Sequence, residues 1–311
     1  MNLITGISPH IRTAEDTRGI MLDLLIALAP ATVFGVTIFG FSALLTLAVA
    51  VASAVAAEAL YCYALKKPLT CGDLTAVVTG LLLGLNLPSG IPFYMTALGS
   101  AFAIIVAKML FGGLGKNLVN PAIAGRIFMM VAFTSAMTTF KEPFADLTAS
   151  ATPLAGGDYA FNEIFFGVCS GTIGETSAVM LLLGGAYLVM RKVITLEIPL
   201  AFILSAGIIA ACFGQNPFTA VFSGGIMLGA IFMATDYVTT PMTKIGKIIF
   251  GLGCGIITMV IRLFASLPEG VSYSILIMNL LTPLIDKFIF TCPLGSFIPK
   301  FMKAKEVSAD A

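Results

Sequence analysis

The sequence is poor in charge. Only 11% of its 311 residues are Asp, Glu, Lys or Arg, and 58% are hydrophobic. Soluble domains typically carry about 25% charged residues, and the mean hydropathy of +1.02 is that of a chain surrounded by lipid. The net charge is +1, and the basic residues form no cluster beyond the C-terminal Lys300, Lys303 and Lys305. The composition therefore predicts a membrane protein and argues against a nucleic-acid partner.

The sequence lacks tryptophan, and His10 is its single histidine, for which we expect a surface or packing role. Its six cysteines are scattered, with no C-x-x-C pair: Cys62, Cys71, Cys169, Cys212, Cys254 and Cys292. Zinc and iron–sulfur sites need clustered thiolates or imidazoles, so we expect free thiols and no metal site within this chain. The glycine fingerprint of dinucleotide-binding folds is also missing, which argues against NAD binding.

Long apolar runs dominate the rest of the chain. A helix needs about 20 apolar residues to cross the hydrocarbon core. The segment 74–88 is shorter and leads into Pro88, which is typical of a broken helix. We predict an all-α polytopic membrane protein with about ten transmembrane helices near 20–40, 41–65, 74–88, 92–112, 121–139, 176–191, 195–213, 216–235, 243–266 and 271–291.

The basic residues predict the orientation of these helices. Fifteen of the seventeen Lys and Arg residues, including Lys108 and Arg126, fall on one side, and Lys141 and Arg262 are the exceptions. Since cytoplasmic flanks are enriched in Lys and Arg, both termini are expected inside. This arrangement gives a cytoplasmic segment, a first helical repeat, an outer loop, a second repeat and a cytoplasmic tail, at 1–19, 20–139, 140–175, 176–291 and 292–311.

Two short stretches suggest that the halves are related. Thr75-Ala-Val-Val-Thr-Gly80 opens the third predicted helix, and Thr219-Ala-Val-Phe-Ser-Gly224 opens the eighth. Five helices per half would place the halves in opposite orientations, as in inverted-repeat transporters. Chance similarity between apolar segments is the alternative.

The predicted outer loop contains Asp146-Leu-Thr-Ala-Ser-Ala-Thr-Pro-Leu-Ala155. Taken alone, this is a polar turn in which Thr152 precedes a proline. It also resembles the flavinylation motif S-G-A-T-P-L of the family shared by Rnf-type electron-transfer complexes and sodium-translocating NADH:quinone reductases. Ala149 and Ser150 stand where that family usually has Ser and Gly, and Ser150 is the less permissive residue for a tight turn.

Further motifs of the same family occur in order over nearly the whole chain. They are Ser8-Pro-His-Ile-Arg12, Thr79-Gly-Leu-Leu-Leu-Gly-Leu-Asn-Leu-Pro88, Gly115-Lys-Asn-Leu-Val-Asn-Pro-Ala-Ile-Ala-Gly-Arg126 and Ala234-Thr-Asp-Tyr-Val-Thr-Thr-Pro241. The resemblance implies that Thr152 forms a phosphoester with FMN, attached by a separate flavin transferase. It also implies a second, noncovalent flavin, either riboflavin or FMN.

The candidate residues for that second flavin lie at two helix ends. Asn120 precedes Pro121 and suits a helix cap, whereas Asn117 adds an amide that both donates and accepts, as the pyrimidine edge of a flavin requires. The resemblance adds Asp236 and its neighbour Thr235, and a capping or snorkelling carboxylate is the plainer interpretation of Asp236.

Three carboxylates inside or beside apolar runs, Asp23, Glu58 and Asp286, are candidates for a cation or proton path. Interfacial positions and hydrogen bonds between helices would explain them equally well. None of them is expected to perform catalysis, and we predict no catalytic residue in this chain.

The resemblance implies a multi-pass subunit of a prokaryotic cell membrane, within a complex that exchanges electrons between ferredoxin and NAD and moves Na⁺ or H⁺. Partners would include membrane-helical subunits, an outer FMN-bearing subunit, and subunits carrying NAD and iron–sulfur clusters. The two flavins would lie on opposite sides of a hydrocarbon core of about 30 Å. The alternatives are the quinone-reductase subunit, which typically has an N-terminal extension, and a secondary transporter without redox chemistry.

Overall fold

A computed structural model describes residues 16–144, 152–155, 159–265 and 269–289. Every regular element in these ranges is helical, which confirms the predicted all-α class for the described part. Ser150, the segment containing His10 and the lysine-rich tail lie outside the described residues.

The helices are α1 (Thr17–Ala64), α2 (Thr75–Leu85), α3 (Phe93–Phe102), α4 (Pro121–Ala132), α5 (Thr134–Met137), α6 (Phe161–Phe166), α7 (Ala178–Met190), α8 (Glu197–Cys212), α9 (Pro217–Phe222), α10 (Ile226–Leu228), α11 (Lys244–Phe264) and α12 (Gly270–Phe288). Two π-helices, Ala103–Met109 and Gly229–Met233, continue α3 and α10. Short 3₁₀ turns cover Cys71–Asp73 and Pro153–Ala155.

Helices α1 and α11 are long and apolar enough to cross a membrane, which is consistent with a membrane location. Helix α1 covers the first two predicted segments, and Gly40, with φ of 69°, interrupts its helical geometry at the expected boundary. Glycine accepts this backbone conformation because it has no Cβ. Other apolar helices have 10–17 residues, fewer than the roughly 20 needed for one crossing, so the number of crossings stays a prediction.

The predicted single helix over 216–235 is wrong in detail. The chain leaves helical geometry after Phe222 and resumes it at Ile226, so this segment comprises α9, α10 and a π-helix. Gly224 has a φ of +70°, and a Cβ there would lie 2.7 Å from the Leu154 side chain. The segment is therefore a helix broken at closely packed glycines, much as α2 ends before Pro88.

Close helix packing depends on small residues. A Cβ on Gly184 of α7 would lie 2.1 Å from the Ala27 carbonyl oxygen of α1, and one on Gly255 of α11 would lie 1.9 Å from Ser205 Oγ of α8. Small residues let helix backbones approach in this way in membrane proteins. These contacts hold α1 against α7 and α8 against α11.

Part of the predicted outer loop packs into the bundle. The Ile173 amide donates to the Leu87 carbonyl at 3.1 Å, and the Gly174 amide donates to Leu85 at 2.7 Å. These bonds satisfy carbonyl groups at the C-terminal end of α2, which have no partner inside that helix. The segment 168–177 consequently closes the end of α2 instead of projecting freely.

Candidate functional site

A cavity of ≈ 300 Å³, here called the Asn120 cavity, opens between α1, α2, the first π-helix and the start of α4. Its lining is mainly apolar, with Leu24, Val78, Leu82 and Phe232 among the wall residues. Seven polar or charged side chains also reach the wall: Thr17, Thr75, Thr79, Lys108, Asn117, Asn120 and Thr235, together with Asp236 and Tyr237 at one end. This combination is typical of small-molecule sites.

All four described residues predicted for the second flavin line this one cavity: Asn117, Asn120, Thr235 and Asp236. Two of them precede α4 and two follow the second π-helix, more than a hundred positions later in the sequence. The fold thus brings together residues that only the family motifs connected.

Asn120 combines two roles. Its Oδ1 accepts from the Ala122 amide at 3.0 Å, which is the cap expected from the sequence, and its Nδ2 donates to the Met233 carbonyl at 3.1 Å. Asn117 is different, because its Oδ1 is buried and has no hydrogen-bond partner among the described residues. A buried acceptor without a donor is costly, so Asn117 offers a bond to a ligand.

The polar end of the cavity is formed by Thr235 and Asp236. The Thr235 hydroxyl donates to the Ile231 carbonyl at 2.7 Å. The Asp236 carboxylate accepts from the Val238 amide at 3.5 Å and from Thr239 Oγ1 at 3.3 Å. Burial raises the pKa of the Asp236 carboxyl above its ordinary value, as expected for a carboxyl without a nearby cation.

Sequence patterns missed Lys108 as a site residue. It is only 2% exposed, and its Nζ donates to Glu58 Oε2 at 2.8 Å and to Thr75 Oγ1 at 2.6 Å. Lys108 lies in the last turn of its helix, as the positive-inside count assumed, but its side chain is buried in an ion pair instead of solvated. The available signal was a lysine and a glutamate within apolar runs, since such charges need partners.

The three predicted ion-path carboxylates each have local partners. Glu58 pairs with Lys108, and Asp23 accepts from Tyr187 Oη at 2.8 Å and from Arg191 Nη2 at 3.0 Å. Asp286 Oδ1 accepts from the Met242 amide at 3.2 Å. These partners are compatible with the alternative of interfacial positions and hydrogen bonds left open by the sequence, and the ion path stays a prediction.

Thr152 lines a second, much smaller cavity of ≈ 40 Å³, here called the Thr152 cavity. The residue is 8% exposed, and its Oγ1 has no hydrogen-bond partner within the described ranges. Gly224 and Gly225 form part of its wall, where a Cβ would lie 2.7 Å from the Leu154 side chain and 2.6 Å from Glu175 Oε1, respectively.

The buried Arg126 lines this cavity together with Glu175 and Glu269, whereas the half-buried Arg262 lies beside Gly224 and does not line it. Arg126, 3% exposed, donates from Nη1 to Glu175 Oε1 at 2.5 Å and pairs through Nη2 with Glu269. Arg262 donates from Nη1 to the Ala220 carbonyl at 2.8 Å. The Nε atoms of both arginines lack partners among the described residues, so two guanidinium donors are available.

The positive-inside count also includes Arg126 as a cytoplasmic helix flank; its side of the membrane stays a prediction, but its side chain is buried within the protein. Arg126 lies within α4. Counting basic residues near the ends of apolar segments does not distinguish a solvated side chain from a buried one. Its acidic partners Glu175 and Glu269 are distant in sequence, and no local pattern connects the three residues.

Hydrogen bonds connect the two cavities. From the Asn120 cavity, Asn120 Nδ2 bonds the Met233 carbonyl, and Met233 Sδ accepts from Asn86 Nδ2 at 3.3 Å. Asn86 Oδ1 in turn accepts from Arg126 Nη1, beside the Thr152 cavity. One polar network thereby joins the end of α2, the end of the second π-helix and α4.

Comparison with known proteins agrees with the motifs. The model of the NQR2, RnfD, RnfE family matches residues 4–295. The chain is 46% identical over 298 residues to the D subunit of the Na(+)-translocating ferredoxin:NAD(+) oxidoreductase complex of Acetobacterium woodii, covering 93% of this chain and 94% of that protein. It is 44% identical to the D subunit of the proton-translocating ferredoxin:NAD(+) oxidoreductase complex of Clostridium ljungdahlii (90% and 92% covered). It is 36% identical to the D subunit of the ion-translocating oxidoreductase complex of Stutzerimonas stutzeri (89% and 91%).

These matches cover almost the entire chain and confirm the resemblance carried by its motifs. The protein belongs to the NQR2, RnfD, RnfE family.

Proposed function

We propose that this protein is the D subunit of an ion-translocating ferredoxin:NAD⁺ oxidoreductase complex and relays electrons across the cell membrane between two flavins. Near-full-length relatives bear that name. The main support for the relay is that Asn117, Asn120, Thr235 and Asp236 line one cavity. This cavity is linked through α4 to the Thr152 cavity.

The first flavin is an FMN joined through its phosphate to Thr152 Oγ1. The unpaired Thr152 hydroxyl, the unpaired Nε of Arg126, and a wall at Gly224 and Gly225 that a Cβ would fill fit a phosphoester. Charge-assisted bonds from guanidinium groups to phosphate are strong. A cavity of ≈ 40 Å³ holds a water-sized group, so it accommodates only the phosphoester end of the cofactor.

The second flavin, bound without a covalent bond, occupies the Asn120 cavity. Its ≈ 300 Å³ fall at the lower end of the range for small-molecule pockets, about 300–1,000 Å³. The apolar wall suits an aromatic ring system, and Asn117 Oδ1 offers an acceptor to a ring N–H. A flavin accepts and donates one or two electrons, while the protein supplies position and polarity.

The relay requires that the two cavities face opposite sides of the membrane. We place the Asn120 cavity toward the cytoplasm and Thr152 outside, in a multi-pass chain with inverted five-helix repeats and both termini inside. Partner subunits supply the NAD and iron–sulfur centres, so this chain alone does not catalyse the overall reaction.

The flavin content of the purified chain tests this function. The protein is produced in the assembled complex with a flavin transferase and isolated from its partners, and its flavin is separated into acid-extractable and protein-bound pools. We expect both pools in the isolated chain. A chain with neither pool, under conditions where a known target of the transferase is flavinylated, would favour the secondary transporter instead.

A further inference from the structure

We propose that Lys108 raises the electron affinity of the flavin in the Asn120 cavity, by holding a buried ammonium group against the ring system. This inference rests on the proposed function, because it needs a flavin in that cavity. Glu58 and Thr75 hold the ammonium group in position, and Lys108 makes the proposed contact with the flavin.

The position of Lys108 is the first observation. Its Nζ bonds Glu58 Oε2 at 2.8 Å and Thr75 Oγ1 at 2.6 Å. An ammonium has three donors, and no third acceptor occurs among the described residues, which leaves one N–H for a ligand. Lys108 and Thr75 line the cavity, whereas Glu58 lies behind them and does not.

The charges around the cavity are the second observation. Lys108 and Asp236 are the only Lys, Arg, Asp or Glu residues that line it in the described part of the chain. The Asp73 carboxylate accepts from Thr75 Oγ1 at 2.6 Å and does not line the cavity. A ligand in this cavity therefore meets the Lys108 ammonium group, whose ion-pair partner Glu58 does not line the wall, and the Asp236 carboxyl group.

The local helix geometry is the third observation. Lys108 lies on a π-helix, Ala103–Met109, and the other π-helix, Gly229–Met233, contributes Phe232 to the same cavity. π-Helices account for well under 1% of residues and are frequent at functional sites. Stability alone does not account for the buried ion pair of Lys108 and Glu58, since buried ion pairs can often be replaced by apolar residues without loss of stability.

The chemistry follows from the charge change on reduction. In the one-electron step, oxidised flavin takes an electron from a neighbouring redox centre of the complex and becomes the anionic semiquinone, and no proton moves. An ammonium beside the ring stabilises the anion more than the neutral oxidised form, because the electrostatic interaction is strong in a poorly hydrated cavity. Charge near the ring nitrogens is one of the main means by which proteins adjust flavin chemistry.

The test compares charge-matched variants in the assembled complex. The double substitution Lys108→Gln with Glu58→Gln removes both charges, so that neither remains unpaired, and Lys108→Arg keeps the positive charge. Asp23→Asn with Arg191→Gln is the matched control, because it removes a neighbouring ion pair whose residues do not line the Asn120 cavity. Redox titration of the acid-extractable flavin, followed by absorbance and semiquinone EPR, gives its one-electron potential.

We expect the neutral pair to lower the equilibrium constant for one-electron reduction about tenfold, a fall of ~59 mV. Lys108→Arg and the control pair should remain near the wild-type potential. If the neutral variant binds flavin too weakly for titration, the dissociation constants of added riboflavin under oxidising and reducing conditions are compared. Their ratio, reduced over oxidised, should then rise by the same factor.

The outcomes separate the two proposals. A bound flavin whose potential, or whose ratio of dissociation constants, is unchanged in the neutral pair overturns the role of Lys108 and leaves the second flavin in place. Wild-type complex in which this protein holds no extractable flavin contradicts the proposed function itself.

Discussion

Asn120, the N-cap of α4, and Arg126, within that helix, lie about 9 Å apart along the helix axis, yet they line two different cavities. The sequence placed the two flavin sites on opposite sides of the hydrocarbon core. The structure brings the polar groups of the two sites within two helical turns, joined through Asn86 and Met233. In the relay that we propose, this short separation would favour direct exchange between the two flavins, because electron-transfer rates fall steeply with distance.

Replacement of Thr152 by alanine should abolish the covalent flavin, because the phosphoester needs the Oγ1 atom. The measurement is in-gel flavin fluorescence of the denatured protein after production with a flavin transferase. Thr172→Ala is the matched control, since Thr172 is also buried and its Oγ1 also lacks a partner among the described residues. A fluorescent band that persists in Thr152→Ala would place the covalent flavin elsewhere.

Asn120→Leu should lower the acid-extractable flavin several-fold and leave the covalent band intact. The substitution also removes a helix cap, which costs about 1 kcal/mol. Asn216→Leu controls for that loss, because Asn216 caps α9 in the same way, accepting from the Phe218 amide at 3.1 Å, and lines no described cavity. Equal flavin losses in the two variants would mean that capping alone explains Asn120.

Asp236→Ala should reduce the same extractable pool without disturbing a cap at α4. Its carboxyl belongs to the cavity wall, and its only hydrogen bonds there run to Val238 and Thr239. Extractable flavin is quantified per mole of protein by chromatography. Unchanged flavin in Asp236→Ala would remove this residue from the site.

Arg126→Met should destabilise the protein strongly, because it leaves Glu175 and Glu269 buried without their cation. Breaking a buried pair in this way typically costs about 3–5 kcal/mol. Arg191→Met is the comparison, since Arg191 is 59% exposed in its pair with Asp23 and exposed pairs contribute about 0–1 kcal/mol. Thermal unfolding in detergent measures both, and similar losses for the two variants would contradict a structural role for the Arg126 network.

The predicted topology can be tested with a cysteine at position 158, introduced as Asp158→Cys, and an impermeant maleimide applied to intact cells. We expect labelling from outside, and protection would reverse the orientation. Cys212 is exposed and is replaced by serine, as is Cys292. Burial raises the pKa of Cys169 to about 11, so this thiol stays protonated at neutral pH and should not react.

The sequence predicted the helical class, the approximate segments and the residues of the Asn120 cavity. The segments were predictable because apolar runs reflect the solvent, and the cavity residues because family motifs connect α4 with the segment after Met233. The buried ion pairs of Lys108 and Arg126 were not predicted because their partners lie far away in the chain, and a basic residue near a segment end is usually solvated. The break at Gly224 was missed since two glycines hardly alter the hydropathy of an apolar run.

The sequence also did not predict that Ile173 and Gly174 pack against the helix bundle. Their hydrogen bonds to the end of α2 use backbone groups, which any residue possesses. Hydropathy placed this segment in an outer loop because its polar neighbours, such as Glu175, were assumed to be hydrated. Glu175 is instead paired with Arg126.

The most direct test of the relay is reduction of the covalent flavin when the second flavin is missing. Assembled complexes carrying the wild-type or the Asn120→Leu protein are mixed rapidly with NADH, which reacts at the cytoplasmic side. The flavin absorbance change that disappears in Thr152→Ala reports the covalent FMN. We predict that Asn120→Leu, depleted of extractable flavin, reduces this FMN at least about tenfold more slowly, a barrier increase of ~1.4 kcal/mol. Reduction at the wild-type rate in a complex without the second flavin would contradict the relay.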